Sequence, residues 1–395
     1  MRNILNLHNR LFFVFILISI LGIFNIFSVS RSFGEVLFIK HISYFFIGIL
    51  FSFLFSRIEI REWKELSYVL FLFAILLLIF VLLKERDVKR WLHISKFSLQ
   101  VSDAVKPFII YFLSMMWFKN KKRGYGDSFY LLLFHFIPFV LVLLEPDLGS
   151  AGYFIFLFGI YLLFSEFKLK VKLLYIFSFF SLLFSFNLLL FLIFSIFSLL
   201  YVIFNARFDT GDKLFLTLAI IIPGLTFPFV FNNVLKEYQR KRILYFLNPS
   251  KDPKGAGWQI LQGRLAMGSS GIFGKGFLKG THKSLAFLPQ AHSDFAFPSF
   301  AEEFGFIGSS FLIFLYFLLL RDLLTLSLNL FGFSSYFVLG VFTSIFYSFL
   351  TNIGGVLGLL PLTGIPLTFF SYGGTNFVIH SILIGLSVSF IKTLK

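Results

Sequence analysis

Apolar runs of membrane-spanning length recur along this whole chain, and they leave it few ways to fold. A bilayer core about 30 Å thick takes roughly 20 mostly apolar residues per helix. Candidate spans read at about 11–29, 37–56, 67–83, 104–118, 128–144, 149–165, 172–186, 188–204, 213–231, 297–320, 335–352 and 375–391. Of the 395 residues, 58% are hydrophobic and 14% are charged, whereas a soluble domain carries about 25% charged residues. So little charge cannot cover a water-facing surface. In hydrocarbon, backbone polar groups must bond within the protein, and runs of this length do so as helices. The expected fold is all-α, a polytopic integral membrane helical bundle of roughly 10–12 transmembrane helices. A large irregular extracytoplasmic loop is expected at about 232–296, within one membrane domain spanning 1–395.

The formal charge is +16. On a soluble chain this would suggest nucleic acid. Here the basic residues lie in short loops beside apolar runs, so they read as topology signals and contacts to anionic membrane lipids, with no nucleic-acid partner. Loops expected on the cytoplasmic side hold Arg2 and Arg10, Arg57 to Lys64, Lys119 to Arg123, and Lys168 to Lys172; Lys392 and Lys395 follow the last span. Both termini then face inward. The absence of cysteine excludes disulfides, thiolate metal sites and a Cys nucleophile. The first apolar run lacks a small-residue cleavage site and reads as a retained helix. The 64 Phe residues read as packing and lipid-facing bulk. The stretch 172–204 is one apolar run with Asn187 near its middle. A tight hairpin of two short spans is the preferred reading; a membrane-embedded insert in a ten-crossing core is the alternative.

Lys89-Arg90-Trp91 precedes Gln100-Val101-Ser102-Asp103-Ala104-Val105-Lys106, which opens the fourth span. Asp103 and Lys106 are three residues apart, so on a helix they share a face and can pair. An ion pair at a membrane mouth is costly unless it faces a wet or protein-lined cavity. The plain alternative is an interfacial anchor, with Trp91 in the aromatic belt and Lys106 snorkelling. Glu145-Pro146-Asp147-Leu148-Gly149 interrupts two apolar runs with two carboxylates at the break. Asp147 either caps the next helix or turns inward to join Asp103 and Lys106.

The long loop runs from Tyr238-Gln239-Arg240-Lys241-Arg242-Ile243 through Gly255-Ala256-Gly257-Trp258-Gln259 and Gly274-Lys275-Gly276. It ends in Phe287-Leu288-Pro289-Gln290-Ala291-His292-Ser293-Asp294-Phe295. Glycines permit close backbone approach, and Lys and Arg can hold phosphate. A basic, glycine-rich platform on a membrane suits a lipid with a diphosphate head group; a flexible loop with solvated charge is the plain alternative. The run lacks the Gly-Lys-Ser/Thr ending of a P-loop. Asp294 stands at a membrane boundary, where partial desolvation raises a carboxyl pKa toward that of a general base. His292, Ser293 and Asp294 are adjacent and cannot stack into a catalytic triad. Last, Asn352-Ile353-Gly354-Gly355, Gly358 to Leu367 and Phe370-Ser371-Tyr372-Gly373-Gly374 place Gly and Pro in apolar surroundings. This reads as re-entrant backbone, tolerated only where it is buried in protein or lines a cavity.

In order, these segments resemble the SEDS family (shape, elongation, division and sporulation), whose members include RodA and FtsW. The likeness covers about residues 89–376. It is carried by Lys-Arg-Trp, Gln-x-Ser-acid-x-x-Lys, Pro-Asp-Leu-Gly, Tyr-Gln-Arg-x-Arg-Ile, Gly-x-Gly-Trp-Gln, Phe-Leu-Pro-x-Ala-His-x-Asp-Phe, Ala-Glu-Glu-x-Gly-Phe-Ile-Gly and Ser-Tyr-Gly-Gly. Each motif is weak alone, and the ordered set is specific. The resemblance implies an inverting peptidoglycan glycosyltransferase that polymerises lipid II, an undecaprenyl diphosphate-linked disaccharide peptide. It implies a multi-pass protein of the bacterial cytoplasmic (inner) membrane with its active site facing outside, and a class B penicillin-binding protein transpeptidase as partner. Asp294 matches the proposed catalytic aspartate of the family's His-Thr-Asp-Phe motif. Arg90, Trp91, Lys106, Arg240, Arg242, Lys275, His292 and Ser371 are the expected substrate-binding residues. Asp103, Lys106 and Asp147 form the expected charge cluster. No metal motif is legible, and a divalent cation, Mg2+ or Mn2+, is the cofactor left open.

Gly-Lys-Gly-Phe-Leu-x-Gly-Thr and Leu-Leu-Pro-Leu-Thr-Gly-Ile-Pro-Leu look more like the elongation branch, which implies a role in cell elongation and rod shape. The chain departs from the family at Val101 and Asp103, where Pro and Glu are usual, and at Gln290, Ser293 and Thr368, where Glu, Thr and Pro are usual. Asp103 shortens the acid by one methylene, and Gln290 removes a carboxylate near the site. The segment 172–204 looks like an insertion into a ten-helix core. Two rival readings are a lipid II flippase and a non-enzymatic scaffold for the penicillin-binding partner.

Overall fold

The computed structural model describes residues 2–58, 64–84, 90–94, 97–120, 123–233, 237–247, 255–284, 287–288 and 290–391. The first helices are α1 (Arg2–Phe33), α2 (Glu35–Phe55) and α3 (Lys64–Lys84), followed by the strands β1 (Trp91–Ile94) and β2 (Phe97–Gln100). Next come α4 (Val101–Ala104), α5 (Lys106–Lys119), α6 (Tyr125–Leu144), α7 (Leu148–Phe164), α8 (Leu169–Phe184), α9 (Leu188–Phe204) and α10 (Thr210–Asn233). The long connection holds α11 (Glu237–Leu247), α12 (Ala256–Gly268) and α13 (Thr281–Ser284). The chain closes with α14 (Ala296–Asn329), α15 (Gly332–Leu357) and α16 (Gly374–Ser389).

Each of the twelve apolar runs forms a helix. Among the described residues, seven helices are long and apolar enough to cross a membrane, and α7, α9 and α16 are shorter apolar helices. The chain is a multi-pass helical membrane protein. The all-α expectation needs one amendment, the antiparallel ribbon of β1 and β2, in which Trp91 pairs with Gln100 and Ile94 with Phe97.

Two compact units form. The first comprises residues 1–119, 134–157 and 244–395, the second 120–133 and 158–243. In the first, α1 packs on α14, α14 on α15, α15 on α5, and α2 on α16. In the second, α8 and α9 pack on each other and on α10, around Phe177, Val202, Phe208, Leu216 and Ile220. One polar residue divides the apolar run 172–204. The Asn187 side-chain oxygen accepts the N–H groups of Leu189 (3.0 Å) and Leu190 (3.3 Å). This caps α9 and stops the run from forming one continuous helix.

Helix α14 is interrupted at Gly305, whose φ of 66° and ψ of −160° are not helical. The break frees two pairs of backbone groups, and the glycine-rich segment 271–276 takes them up. Phe306 N–H bonds Gly271 O (3.1 Å) and Ile307 N–H bonds Ile272 O (3.1 Å). In return, Lys275 N–H bonds Glu302 O (2.9 Å) and Gly276 N–H bonds Glu303 O (3.0 Å). These are the partners that an unbroken helix would join by its i to i−4 ladder. Gly305 and Gly274, both at positive φ, meet backbone to backbone, and a Cβ on either would strike the other.

Candidate functional site

Asp294 lies in the last turn before α14, partly exposed, with the buried Phe295 following it. The turn is closed by Ser293 N–H and Phe295 N–H, both bonded to Gln290 O at 3.1 Å. Its backbone is pinned by Asn352 of α15, whose amide donates to Asp294 O (3.2 Å) and to Ile365 O (2.9 Å). One side chain therefore ties the Asp294 turn to the irregular segment 358–373. Gly364, at φ 77°, brings backbone close to the carboxylate; a Cβ there would sit 3.5 Å from Asp294 Oδ2.

The same segment meets the start of α7. A Cβ on Gly149 would come 2.9 Å from Thr363 O. Tyr347 donates to Gly149 O (2.8 Å), and Ser348 donates to Pro366 O (2.8 Å) and accepts from Thr368 N–H (3.0 Å). A polar stripe on α15 thus fixes the re-entrant backbone. His380 of α16 joins it, with Nε2 2.8 Å from Ser344 Oγ.

Lys106 and Asp103 form a buried ion pair at 2.6 Å. Asn376 donates to the other Asp103 oxygen (3.3 Å), and the Lys106 ammonium lies 5.1 Å from the centre of the Tyr153 ring. Asp147 takes its bonds elsewhere. It accepts from Ser150 N–H (3.1 Å), Ser150 Oγ (3.0 Å) and Gln100 Nε2 (3.2 Å). It caps α7 and reaches the Asp103 neighbourhood through Gln100, which also bonds Ser102 (3.3 Å). The three expected cluster residues are therefore neighbours by way of Gln100, and only Asp103 and Lys106 pair directly among the described residues.

Arg90 is drawn into the break between α6 and α7. Its guanidinium donates to Glu145 O (3.2 Å) and to Pro146 O. Trp91 opens β1 and is partly exposed. Glu145 itself is fully buried, and neither carboxyl oxygen has a hydrogen-bond partner among the described residues. Burial and the neighbouring Asp147 push this carboxyl up to about 8, against the pull of Arg90. The unfolded chain gives up the proton near pH 4.5, and the folded one holds it until about pH 8. The stabilisation is therefore full below the unfolded value and is lost as pH rises through that window. Thermal midpoints measured across this range should fall with rising pH, and Glu145→Gln should flatten the profile. An unchanged slope in the variant would remove Glu145 as the source.

His292 lies against Phe33 and Tyr372, and its carbonyl accepts Tyr372 N–H (2.8 Å). Burial lowers its pKa, so the ring is neutral near pH 7. Lys275 pairs with the buried Glu302 at 2.6 Å, which also accepts Thr281 N–H (3.0 Å) and faces His282 Nδ1 at 2.8 Å. Lys283 and Glu303 form a second buried pair, joined by Ser28 of α1. Lys275 is thus not part of an open basic platform, because its charge is already met. Ser371 is buried, and its hydroxyl accepts Leu367 N–H (3.1 Å), so it shapes the re-entrant turn rather than facing a ligand. Arg240, on α11 in the second unit, donates to Asn232 O (2.9 Å). The Arg242 side chain lies outside the described residues.

Sequence reasoning missed Tyr347, Ser348 and His380. A signal was available: Ser344, Ser348 and Asn352 recur every four residues on an otherwise apolar helix, which sets them on one face.

A polytopic helical membrane protein with a charged, partly open site beside re-entrant backbone is the class defined so far. The profile of the FtsW, RodA and SpoVE family, described as cell cycle protein, matches residues 8–197 and 179–394. The chain belongs to this family. The two matches overlap within α8 and α9. The chain is 30% identical over 388 residues to the probable peptidoglycan glycosyltransferase FtsW of Wigglesworthia glossinidia brevipalpis, covering 93% of this chain and 89% of that protein. It is 28% identical over 401 residues to the peptidoglycan glycosyltransferase RodA of Treponema pallidum (strain Nichols), covering 89% of each. It is also similar to a chain of a peptidoglycan synthase complex solved for the coordination of polymerization and crosslinking, with a TM-score of 0.70, 25% identity and 97% of each chain covered. The rod shape determining protein RodA of Thermus thermophilus shares the fold, with a TM-score of 0.60 at 21% identity over 97% of this chain and 95% of that one.

Proposed function

We infer that this chain is a peptidoglycan glycosyltransferase that polymerises lipid II into glycan strands during elongation and maintenance of rod shape. The observation that carries the reading is the Asp294 carboxylate, partly exposed and set against the Gly364 backbone on a turn pinned by Asn352. A base must stand within hydrogen-bond reach of the proton it takes, in a fixed place.

In this reading the growing glycan is held on its polyprenyl diphosphate. The 4-hydroxyl of the incoming lipid II sugar attacks the anomeric carbon from the face opposite the diphosphate. Asp294 takes the hydroxyl proton as the new C–O bond forms. The bond to the diphosphate oxygen breaks, its electron pair leaves with the diphosphate, and the configuration inverts. Cations aimed at the developing negative charge of the leaving diphosphate can lower a barrier substantially. Lys106 orders the site by holding Asp103, which in turn accepts from the Asn376 amide.

Among the described residues no group of three or more His, Asp or Glu side chains is placed to hold a metal ion. We propose that a Mg2+ or Mn2+, where one takes part, arrives bound to the diphosphate. The proposed location is the bacterial inner membrane, with Asp294 facing outside. The likeness to a chain of a complex that coordinates polymerization and crosslinking supports a crosslinking partner, which we propose is a class B penicillin-binding protein.

Purified protein given labelled lipid II tests the activity, with strand formation expected; translocation without strands, or neither, would overturn it. Sidedness has its own test in this cysteine-free chain. Lys279→Cys should react with an impermeant thiol reagent on intact cells, and Lys119→Cys only after permeabilisation; both side chains are exposed. The reverse pattern would place Asp294 on the wrong side for this chemistry.

A further inference from the structure

The second unit contains a half-open cavity of about 300 Å³ at the base of α8 and α9, lined by Lys168, Lys170, Tyr201, Asn205, Arg207 and Phe208. This is the lower end of the size range for small-ligand pockets. Three cations stand around it, and their partners decide what it can hold. Lys170 is answered by Asp212 at 2.7 Å and Asp209 at 3.9 Å. Two nearby lysines outside the lining are also engaged: Lys172 bonds Leu163 O and Ser165 O, and Lys213 bonds Ile203 O, all at 2.8 Å. Glu166 lies 4.0 Å from Arg123. That leaves Lys168 and Arg207, both exposed and with no ion pair among the described residues.

Arg207 is held in place rather than trailing. Its backbone N–H bonds the Asn205 side chain at 3.0 Å, and the next residue, Phe208, is buried in the core of the unit. Tyr201 and Phe208 make part of the lining aromatic and Leu169 adds an apolar side chain to it; Leu169 and, on α9, Ile203 and Phe204 are exposed. A cationic lip over an apolar wall, at the end of two apolar helices, matches an amphiphile with a negative head.

We propose that this cavity binds a phosphate group between Lys168 and Arg207, with an anionic phospholipid as its source and the acyl chains lying along α8 and α9. The site is made within the second unit, by the α8–α9 hairpin and the turn that follows it.

The test uses the full-length protein in detergent, titrated with phosphatidylglycerol, phosphatidylcholine or inorganic phosphate and followed by thermal unfolding and native mass spectrometry. Phosphatidylglycerol should be retained and should raise the unfolding midpoint, with phosphatidylcholine much weaker. In Lys168→Gln/Arg207→Gln, retention should weaken roughly thirtyfold, about fivefold for each cation near an anionic surface. Lys84→Gln/Lys119→Gln, which removes the same charge elsewhere, should bind as the unmodified protein does. Lys168→Arg/Arg207→Lys should keep binding, which guards against a folding defect. Inorganic phosphate acting alone, with loss in the Lys168 and Arg207 variant, would support the phosphate site with a free anion as its source. Equal retention by both charge-removal variants, or no preference for phosphatidylglycerol over phosphatidylcholine, would overturn the proposal.

Discussion

Asp294→Asn should leave a folded, membrane-inserted protein that makes almost no glycan. The substitution is nearly isosteric and keeps the backbone carbonyl that Asn352 holds. It leaves the adjacent Phe295 in its buried position. What it removes is basicity. Loss of a positioned general base typically costs about 10²–10⁴-fold in rate. The measurement is strand synthesis per folded molecule, with lipid II binding as a parallel readout that should survive. A rate within about threefold of the unmodified protein, far short of that loss, would move the base elsewhere. Poor accumulation with near-normal specific activity would mark Asp294 as structural.

Lys106→Met should be strongly destabilising. Lys106 and Asp103 are both buried, 2.6 Å apart, and among the described residues the methionine would leave Asp103 the Asn376 amide at 3.3 Å as its hydrogen-bond donor. Breaking a buried pair from one side costs about 3–5 kcal/mol. Thermal unfolding and strand synthesis should fall together. Adding Asp103→Asn removes the stranded charge, so the double variant should recover most of the stability without recovering the activity. A single variant with normal unfolding and polymerisation would make Lys106 an interfacial anchor after all.

The helices were legible because a bilayer admits so few solutions. The divided run at 172–204 was also legible, although its outcome depended on Asn187, whose cap is a local interaction between near neighbours. The ribbon of β1 and β2 was not foreseen. Its strands are four residues each, too short to show an alternating pattern, and pairing rather than composition defines them. The site was legible as a list of motifs but not as an arrangement. Asp147 and Lys106 were expected to meet, yet Gln100 and Ser150 satisfy Asp147 first. Lys275 was expected to face a ligand, and the buried Glu302 claims it. Spacing along the chain tells which residues can share a helix face, but competition among partners from distant segments is settled only by packing.

The exchange of hydrogen bonds at the break in α14 also makes a ring of the chain. Residues 276 to 302 leave and re-enter at adjoining points, joined by Gly276 N–H to Glu303 O and by the pairing of Lys275 with Glu302. Asp294 sits on this closed loop rather than on the end of a long tether. The conformational freedom that matters at the site is that of the ring alone. Lengthening a flexible connection costs little, about 0.6 kcal/mol for each doubling. Insertions between α10 and α12 should therefore be absorbed upstream of Gly271, whereas one added residue between Gly276 and Glu302 would have to be accommodated inside the loop that carries the carboxylate. The tolerance of this connection to changes in length is set by where the ring closes, and it changes abruptly at that point.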